Sequence, residues 1–200
     1  MIYLDNAATC GFKPRAVIET VETITKYLCA NPGRSGHRLS LTGEKIVCSA
    51  RETLSNFFDG SFERVVFTKN CTEALNLLIF GTLKKGGHII TTVYEHNSVL
   101  RPLNHLKELG LITLSIAKPS VNVDIVEAIE NEINDNTYLI ITTSASNVTG
   151  EVLPIGKIGA LAKKHSLLYF VDGAQGGGHI PISLKNDNVS ALALAGHKGL

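Results

Sequence analysis

The 200-residue sequence lacks the marks of several common protein classes. No apolar run approaches the roughly 18 residues that a membrane-spanning helix needs. The formal net charge is only +1, and lysine and arginine are scattered along the chain. This balance favours neither nucleic acid nor an acidic membrane surface as a partner.

Features typical of secreted and metal-binding proteins are missing as well. The cysteines, which are Cys10, Cys29, Cys48 and Cys71, show no CxxC spacing. Met1–Cys10 lacks the basic and apolar segments of a secretory signal. These two absences predict a cytoplasmic protein with reduced thiols. No cluster of His, Cys and Asp has ligand spacing, so no metal site is predicted.

Two glycine-containing segments fail to match nucleotide-binding loops. Gly173–Gly178 is rich in glycine but does not read GxGxxG. Gly150–Ile158 misses the P-loop pattern by one spacing residue, and it ends in isoleucine where serine or threonine is needed. A nucleotide-binding domain is therefore disfavoured.

The sequence does contain a globular composition and a repeating strand–helix pattern. Apolar residues make up 44% of the chain and charged residues 18%. The predicted strands are Arg64–Thr68, His88–Val93, Ile112–Ala117, Tyr138–Thr143, Leu167–Asp172 and Ser190–Ala195. The predicted helices between them are Thr72–Leu83, Ser98–Leu109, a helix capped by Asp124, and Ile155–His165 after Pro154. This alternation predicts an α/β fold with a mostly parallel sheet.

Two helices precede this pattern. They are predicted at Pro14–Cys29 and Thr42–Phe58, on either side of a Gly/Pro loop at Asn31–His37. The second helix is expected to turn five residues inward, which are Ile46, Val47, Ala50, Leu54 and Phe57. We divide the chain into an N-terminal segment with helices, residues 1–60, and a larger domain, residues 61–200, with no linker that would make them independent.

Polar groups beyond the carboxyl ends of the strands are candidates for function, because ligands gather there in open parallel sheets. Thr72 lies where a strand joins a helix, and helix N–H groups with a threonine hydroxyl can hold an anion. The alternative is that Thr72 only caps its helix. His96 follows the next strand and suits stacking or proton transfer, or is an ordinary surface residue.

The later strands end in further polar groups. Ser144–Gly150 is rich in hydrogen-bonding groups, or is simply a polar loop that turns at Gly150. Asp172 closes a buried strand, where a carboxylate needs a cationic or donor partner. Lys198 follows the last strand beside His197, and a lysine near imidazole and carboxylate suits Schiff-base chemistry. Each group is weak evidence alone, but their common position at strand ends indicates one site.

These groups belong to segments that together resemble the cysteine desulfurases, which are class V aminotransferase-type enzymes dependent on pyridoxal phosphate. The segments are Tyr3–Thr9, Asn31–Ser40, Thr72–Asn76, Glu95–Pro102, Ser146–Gly150, Asp172–Gln175 and Gly196–Lys198. The resemblance covers essentially the whole chain. It implies the large domain of a fold-type I transferase. It also implies an activity that converts L-cysteine to L-alanine and passes sulfur on through an enzyme persulfide, as in iron–sulfur cluster assembly.

The resemblance also implies roles for individual residues. Lys198 is expected to hold pyridoxal phosphate as a Schiff base and then to move the Cα proton. Asp172 is expected to pair with the pyridine nitrogen, and His96 to stack on the ring and act in acid–base chemistry. The remaining expected contacts are Asn147 and Gln175 to the phenolic oxygen, and Thr72, the amide of Cys71 and the side chain of His197 to the phosphate.

Two residues depart from the family pattern. Ala195 stands where relatives usually carry Ser or Thr, whose hydroxyl binds the phosphate. One neutral hydrogen bond contributes about 1 kcal/mol, so cofactor binding is expected to be weaker but not lost. Cys10 replaces the second threonine of the opening motif, and we interpret it as a packed residue rather than a sulfur carrier.

The resemblance further implies residues beyond Leu200. In the family these include the persulfide cysteine, an arginine for the substrate carboxylate, and a phosphate ligand from the partner of a homodimer. No cysteine of this sequence occupies the nucleophile's place, so we interpret the chain as a fragment that is not expected to catalyse desulfuration alone. An antiparallel strand from the later segment is also missing, which would leave two sheet edges open.

Other interpretations stay open at this point. Another class V enzyme, such as a selenocysteine lyase or a small-molecule aminotransferase, shares the same motifs. A non-catalytic remnant that dimerises with an intact homologue is the alternative from another class. If the chain is part of a desulfurase, the expected partners are L-cysteine or a related amino acid, a second copy of the chain and a sulfur-acceptor protein.

Overall fold

The computed structural model describes residues 2–28, 30–34 and 36–200. It divides into two compact units, one that ends at Phe67 and one that begins at Thr68. The domain boundary predicted after residue 60 remains a prediction. No helix within the described ranges is long and apolar enough to cross a membrane.

The first unit contains two α-helices and a short 3₁₀ turn. Helix α1 spans Arg15–Tyr27, α2 spans Arg38–Phe57, and the 3₁₀ turn spans Phe62–Arg64. Helix α2 begins earlier than predicted because the His37 imidazole accepts a hydrogen bond from the Ser40 N–H and caps it. The end predicted for the first helix, Cys29, lies outside the described residues.

The inward face predicted for α2 is wrong at two positions. Ala50 is exposed, and Phe57 is 61% exposed, whereas Phe58 is only 3% exposed. The helix ends at Phe57, and the chain then turns through Asp59, whose φ is 50°. Phe58, the residue just after the helix, is therefore buried where helical periodicity predicts a buried Phe57.

The second unit is a parallel sheet with helices, which confirms the predicted α/β fold. Its strand order is β2-β1-β3-β4-β5, and every neighbouring pair is parallel. The strands are β1 Gly87–Thr92, β2 Ile112–Ala117, β3 Thr137–Thr143, β4 Leu168–Asp172 and β5 Ala191–Ala193. The helices are α3 Cys71–Gly81, α4 Asn97–Glu108, α5 Ile125–Asn131 and α6 Ile155–Lys164.

The register of the sheet aligns the ends of three neighbouring strands. Thr143 pairs with Asp172, and Asp172 pairs with Ala193. Side chains alternate along a strand, so Asp172 lies on the same face as Phe170. That face packs in the main core cluster with Leu75 of α3. The carboxylate therefore follows the buried Phe170 at the carboxyl end of an apolar strand face.

The strand predicted at Arg64–Thr68 does not form. Its first residue belongs to the 3₁₀ turn, and Val65 is extended with φ −81° and ψ 119°. Val66 is 72% exposed and Phe67 is 51% exposed. A strand requires a neighbour that pairs its N–H and C=O groups, and no ladder includes these residues in the described part of the chain. The last predicted strand is also shorter than expected, ending at Ala193.

Helix α6 packs closely against the segment between β4 and β5. A β-carbon at Gly159 would lie 1.7 Å from the carbonyl oxygen of Asp187. A β-carbon at Gly156, on the same helix, would meet only the Asp187 carboxylate oxygen, at 2.9 Å. The backbone carbonyl cannot move without shifting the loop, whereas the carboxylate can turn aside.

We therefore expect Gly159→Ala to lower the free energy of unfolding by at least about 1–3 kcal/mol, as overpacking of a well-packed region does. Gly156→Ala is the matched control, and its effect should stay within about 1 kcal/mol because better helix propensity offsets the contact. Urea unfolding followed by circular dichroism compares the two. Equal effects would show that the α6–Asp187 approach is not as close as described.

Candidate active site

The residues predicted to form a site lie along one edge of the sheet. His96 follows β1, Asn147 follows β3, Asp172 ends β4 and Lys198 follows β5. Thr72 lies in the first turn of α3. Parallel strands point their carboxyl ends to the same edge, which is where ligands of such sheets bind.

Asp172 is a buried carboxylate with defined donors. It is 2% exposed. Its Oδ1 accepts hydrogen bonds from the Cys71 thiol at 3.5 Å and from the Ala174 N–H at 2.9 Å. Its carbonyl oxygen accepts from the N–H and the hydroxyl of Ser144, at 2.8 and 3.0 Å. Both the side chain and the backbone of Asp172 are therefore held in place.

Two opposite charges act on the buried Cys71 sulfur. Burial raises the pKa of the Cys71 thiol far above its usual range, Asp172 raises it further, and Lys198 lowers it. Asp172 and Lys198 thus both lie near the same group. Among the residues that the structure describes, no lysine or arginine forms an ion pair with Asp172.

The turn that carries Lys198 packs against the turn that follows Asp172. Lys198 is half-buried, and its N–H donates to the Ala195 carbonyl at 3.1 Å. A β-carbon at Gly178 would lie 2.0 Å from the Gly199 carbonyl oxygen, and Gly178 has a φ of 81°. Only glycine fits this place. The backbone contact links the carboxylate loop directly to the lysine turn.

Thr72 and His96 are joined through Ser98. The Ser98 hydroxyl lies 2.8 Å from the Thr72 hydroxyl and 2.8 Å from Nδ1 of His96. Helix α3 is capped instead by Asn70, whose side chain accepts from the Glu73 N–H at 2.9 Å. The alternative that Thr72 serves as a helix cap is therefore wrong.

Glu95 is a second buried carboxyl at this edge. It is 8% exposed, and its Oε1 accepts from the Thr92 hydroxyl at 2.6 Å. Its Oε2 has no hydrogen-bond partner within the described ranges. Burial raises the pKa of Glu95 to about 8, with the Asp172 charge adding to the rise and the Thr92 hydroxyl opposing it. Burial therefore favours the protonated form of Glu95, which lessens its repulsion with the Asp172 carboxylate.

Three further predicted residues border the same edge. Asn147 and His197 are exposed, and Gln175 is half-buried. Asn147 lies in a turn in which the Ser146 hydroxyl accepts from the N–H groups of Val148 and Thr149, each at 3.3 Å. The cofactor contacts assigned to these residues remain predictions.

Sequence reasoning did not single out Ser98, Glu95 or Gly178. Ser98 and Glu95 flank His96 within one short segment, and that proximity was the available signal. In the sequence, Gly178 is notable only as the last glycine of a segment that does not match a nucleotide-binding loop. What each residue contacts depends on how distant turns meet, which local spacing does not specify.

The arrangement fits pyridoxal phosphate. In the part of the chain that is described, no three His, Cys, Asp or Glu side chains form a group that could hold a metal ion. A buried carboxylate without a cation suits a protonated pyridine nitrogen, and a nearby lysine suits an aldehyde. The N-terminus of α3, an 11-residue helix, together with the Thr72 hydroxyl suits a phosphate group.

Comparisons with known proteins agree with this chemistry. The family model described as aminotransferase class-V matches residues 2–200. A probable cysteine desulfurase of Aeropyrum pernix is 35% identical over all of this chain and 50% of its own length. Cysteine desulfurase IscS of Rickettsia felis is 33% identical over 98% of this chain and 49% of its own.

Solved structures give the same result. The apo structure of a cysteine desulfurase from Thermococcus onnurineus matches with a TM-score of 0.91 and 32% identity, over 99% of this chain and 50% of that one. A structure of SspA in complex with cysteine matches with a TM-score of 0.89 and 28% identity, over 100% of this chain and 59% of that one. The chain thus spans about half the length of the curated relatives it matches.

Proposed function

The chain belongs to the aminotransferase class-V family, and from this premise we propose that the protein functions as a pyridoxal-phosphate-dependent cysteine desulfurase. The substrate would be L-cysteine and the products L-alanine and sulfur carried on an enzyme cysteine. The similarity to cysteine desulfurases, and to SspA in complex with cysteine, supports this choice within the family.

The observation that carries the proposal is the buried carboxyl group of Asp172, which forms no ion pair among the described residues. A carboxylate that is 2% exposed is costly to bury unless a cation or strong donors compensate it. Here only a thiol and an N–H donate to its Oδ1. A protonated pyridine nitrogen would complete that compensation, and the nearby Lys198 amine remains available for an aldehyde.

The residues at this edge would divide the work as follows. Asp172 would keep a proton on the pyridine nitrogen, and Lys198 would bind the aldehyde carbon and later move the proton at the substrate Cα. His96 would stack on the ring and exchange protons with the substrate. When bound, pyridoxal phosphate supplies an electron sink for charge that develops at the substrate Cα.

The polar contacts of the cofactor would come from both ends of the site. The phosphate would be held by the hydroxyl of Thr72, the N–H of Cys71 and the side chain of His197. Ala195 adds no hydroxyl to this set. Asn147 and Gln175 would contact the phenolic oxygen.

Cys71 is unsuited to carry the sulfur in this mechanism. A thiolate is the attacking form of cysteine, and burial keeps Cys71 protonated by raising its pKa. We assign the sulfur-carrying role to a cysteine outside this site. We also propose that the working enzyme is a homodimer that passes its sulfur to an acceptor protein, as the resemblance implies.

The cofactor assignment is tested by incubating the purified protein with pyridoxal phosphate and reducing it with borohydride. Peptide mass spectrometry then identifies which lysine carries the pyridoxyl group. We expect Lys198 to be modified at close to one group per chain. Modification spread over several surface lysines, with none favoured, would exclude the proposed site.

A further inference from the structure

Ser98 contacts two residues of the proposed cofactor site but has no assigned role. It is the second residue of α4 and is 8% exposed. Its hydroxyl lies 2.8 Å from the Thr72 hydroxyl and 2.8 Å from Nδ1 of His96. Thr72 is the proposed contact of the phosphate group, and His96 is the proposed contact of the pyridine ring. Ser98 therefore bridges the two residues that would hold opposite ends of the cofactor.

The backbone of Ser98 determines where the protons lie. Its N–H donates to Nδ1 of His96 at 3.1 Å, so Nδ1 must carry a lone pair. The Ser98 oxygen is also 2.8 Å from Nδ1, and two lone pairs at that distance would repel each other. The hydrogen between them therefore belongs to the Ser98 hydroxyl. Because the Ser98 hydroxyl already donates its hydrogen to His96, the Ser98 oxygen accepts a hydrogen bond from the Thr72 hydroxyl.

We propose that Ser98 is a positioning residue that fixes His96 in the Nε2–H form and orders the Thr72 hydroxyl beside it. The proposal rests on the proposed function, because it assigns Ser98 to the same cofactor site. In this arrangement the Thr72 hydroxyl donates to the Ser98 oxygen, and the Ser98 hydroxyl donates to Nδ1 of His96.

The orientation of His96 follows from two donors on one ring nitrogen. His96 is the N-cap of α4, and its Nδ1 receives the Ser98 N–H as the capping bond. The Ser98 hydroxyl adds a second bond to the same atom. The ring is held at Nδ1, and Nε2–H is its other polar edge. A neutral imidazole in this form can give a proton at Nε2 but cannot take one there.

The same bonds connect His96 to phosphate binding. In the cofactor-free protein the Thr72 proton points to Ser98, and a phosphate oxygen can only accept hydrogen bonds. Phosphate binding must therefore rotate that proton away from Ser98, while Ser98 keeps its own bond to His96. Ser98 therefore holds the Thr72 hydroxyl only in the cofactor-free protein, and its bond to His96 is the one that persists when phosphate binds.

The experiment uses Ser98→Ala, which removes the hydroxyl, and Ser98→Thr, which restores it. Ser55→Ala is the control, since Ser55 is also buried, at 5% exposure, and its hydroxyl donates only to the Glu52 carbonyl in α2. The first readout is ¹⁵N NMR of histidine-labelled, cofactor-free protein, with the His96 signals identified by their absence in His96→Gln.

We expect the parent protein to show His96 protonated at Nε2 and not at Nδ1. The Nδ1 resonance should move in Ser98→Ala, which loses one of two donors, and return toward the parent value in Ser98→Thr. Ser55→Ala should leave it unchanged. A His96 protonated at Nδ1 in the parent would overturn the proposal, and this measurement requires only the His96→Gln assignment variant to fold.

The second readout is the affinity for pyridoxal phosphate. Loss of one hydrogen bond that orders the site should weaken binding roughly three- to tenfold in Ser98→Ala. Ser98→Thr should stay within about twofold of the parent. Unchanged affinity together with an unchanged Nδ1 resonance in Ser98→Ala would refute the positioning role. If the parent itself does not bind pyridoxal phosphate, the proposed function fails, and the NMR result alone decides the role of Ser98.

Discussion

Lys198→Ala is expected to abolish covalent attachment of pyridoxal phosphate. Lys198 follows β5 in a turn that packs against the turn after Asp172, at the same edge of the sheet. One amine placed to meet an aldehyde reacts far more readily than amines spread over a surface, because the reacting groups are already oriented. Absorbance of the lysine-bound cofactor, and its mass after borohydride reduction, should both fall to background in the variant.

Lys185→Ala is the matched control for this prediction. Lys185 is an exposed lysine in the segment between β4 and β5, and its loss should leave attachment unchanged. Circular dichroism should show that both variants keep the parent's secondary structure. Attachment that persists at the parent level in Lys198→Ala would remove this lysine from the site and, with it, the proposed function.

Glu95→Gln is expected to stabilise the cofactor-free protein strongly at alkaline pH. The pKa of Glu95 rises from an ordinary 4.5 to about 8 in the folded protein, chiefly through burial. Between these values the unfolded chain releases the proton while the folded chain keeps it. The free energy of unfolding is therefore undiminished below about pH 4.5 and falls as the pH rises toward 8. The full loss is about 5 kcal/mol.

Glutamine carries no charge at any pH, so it escapes this loss. Urea unfolding at pH 5, 6.5 and 8 should show Glu95→Gln close to the parent at pH 5 and increasingly more stable at higher pH. Glu151→Gln, a change at an exposed glutamate near the same edge, should show no such trend. A constant difference between Glu95→Gln and the parent across this range would mean that Glu95 does not hold its proton on folding.

The fold could be predicted in outline because its signals are local. The parallel strands are apolar runs, and Asp124 caps α5 as predicted, with its Oδ1 accepting from Val126 and Glu127. The segment 64–68 has the same apolar character but forms no ladder in the described structure. Local composition shows that a segment can be a strand, and only a paired neighbour makes it one.

The candidate site was predictable where a residue's place depends on its own strand. Asp172 and Lys198 come at or after strand ends, and parallel strands bring such ends together. The Ser98 contact with Thr72 depends instead on how α3 and α4 approach each other. The raised pKa of Glu95 likewise depends on burial, which its neighbours in sequence do not reveal.

The amino-acid sequence alone determined the α/β class, because apolar periodicity is a local property, and its motifs indicated the family by resemblance. The residues that it assigns to pyridoxal phosphate remain predictions. The tertiary structure decided which groups share protons and which remain unpaired. Among the described residues it left Asp172 without an ion pair, raised the pKa of Glu95 by burial and placed Ser98 between Thr72 and His96. Charge and hydrogen bonding depend on burial and on distances between segments far apart in the chain, and only the folded protein sets these.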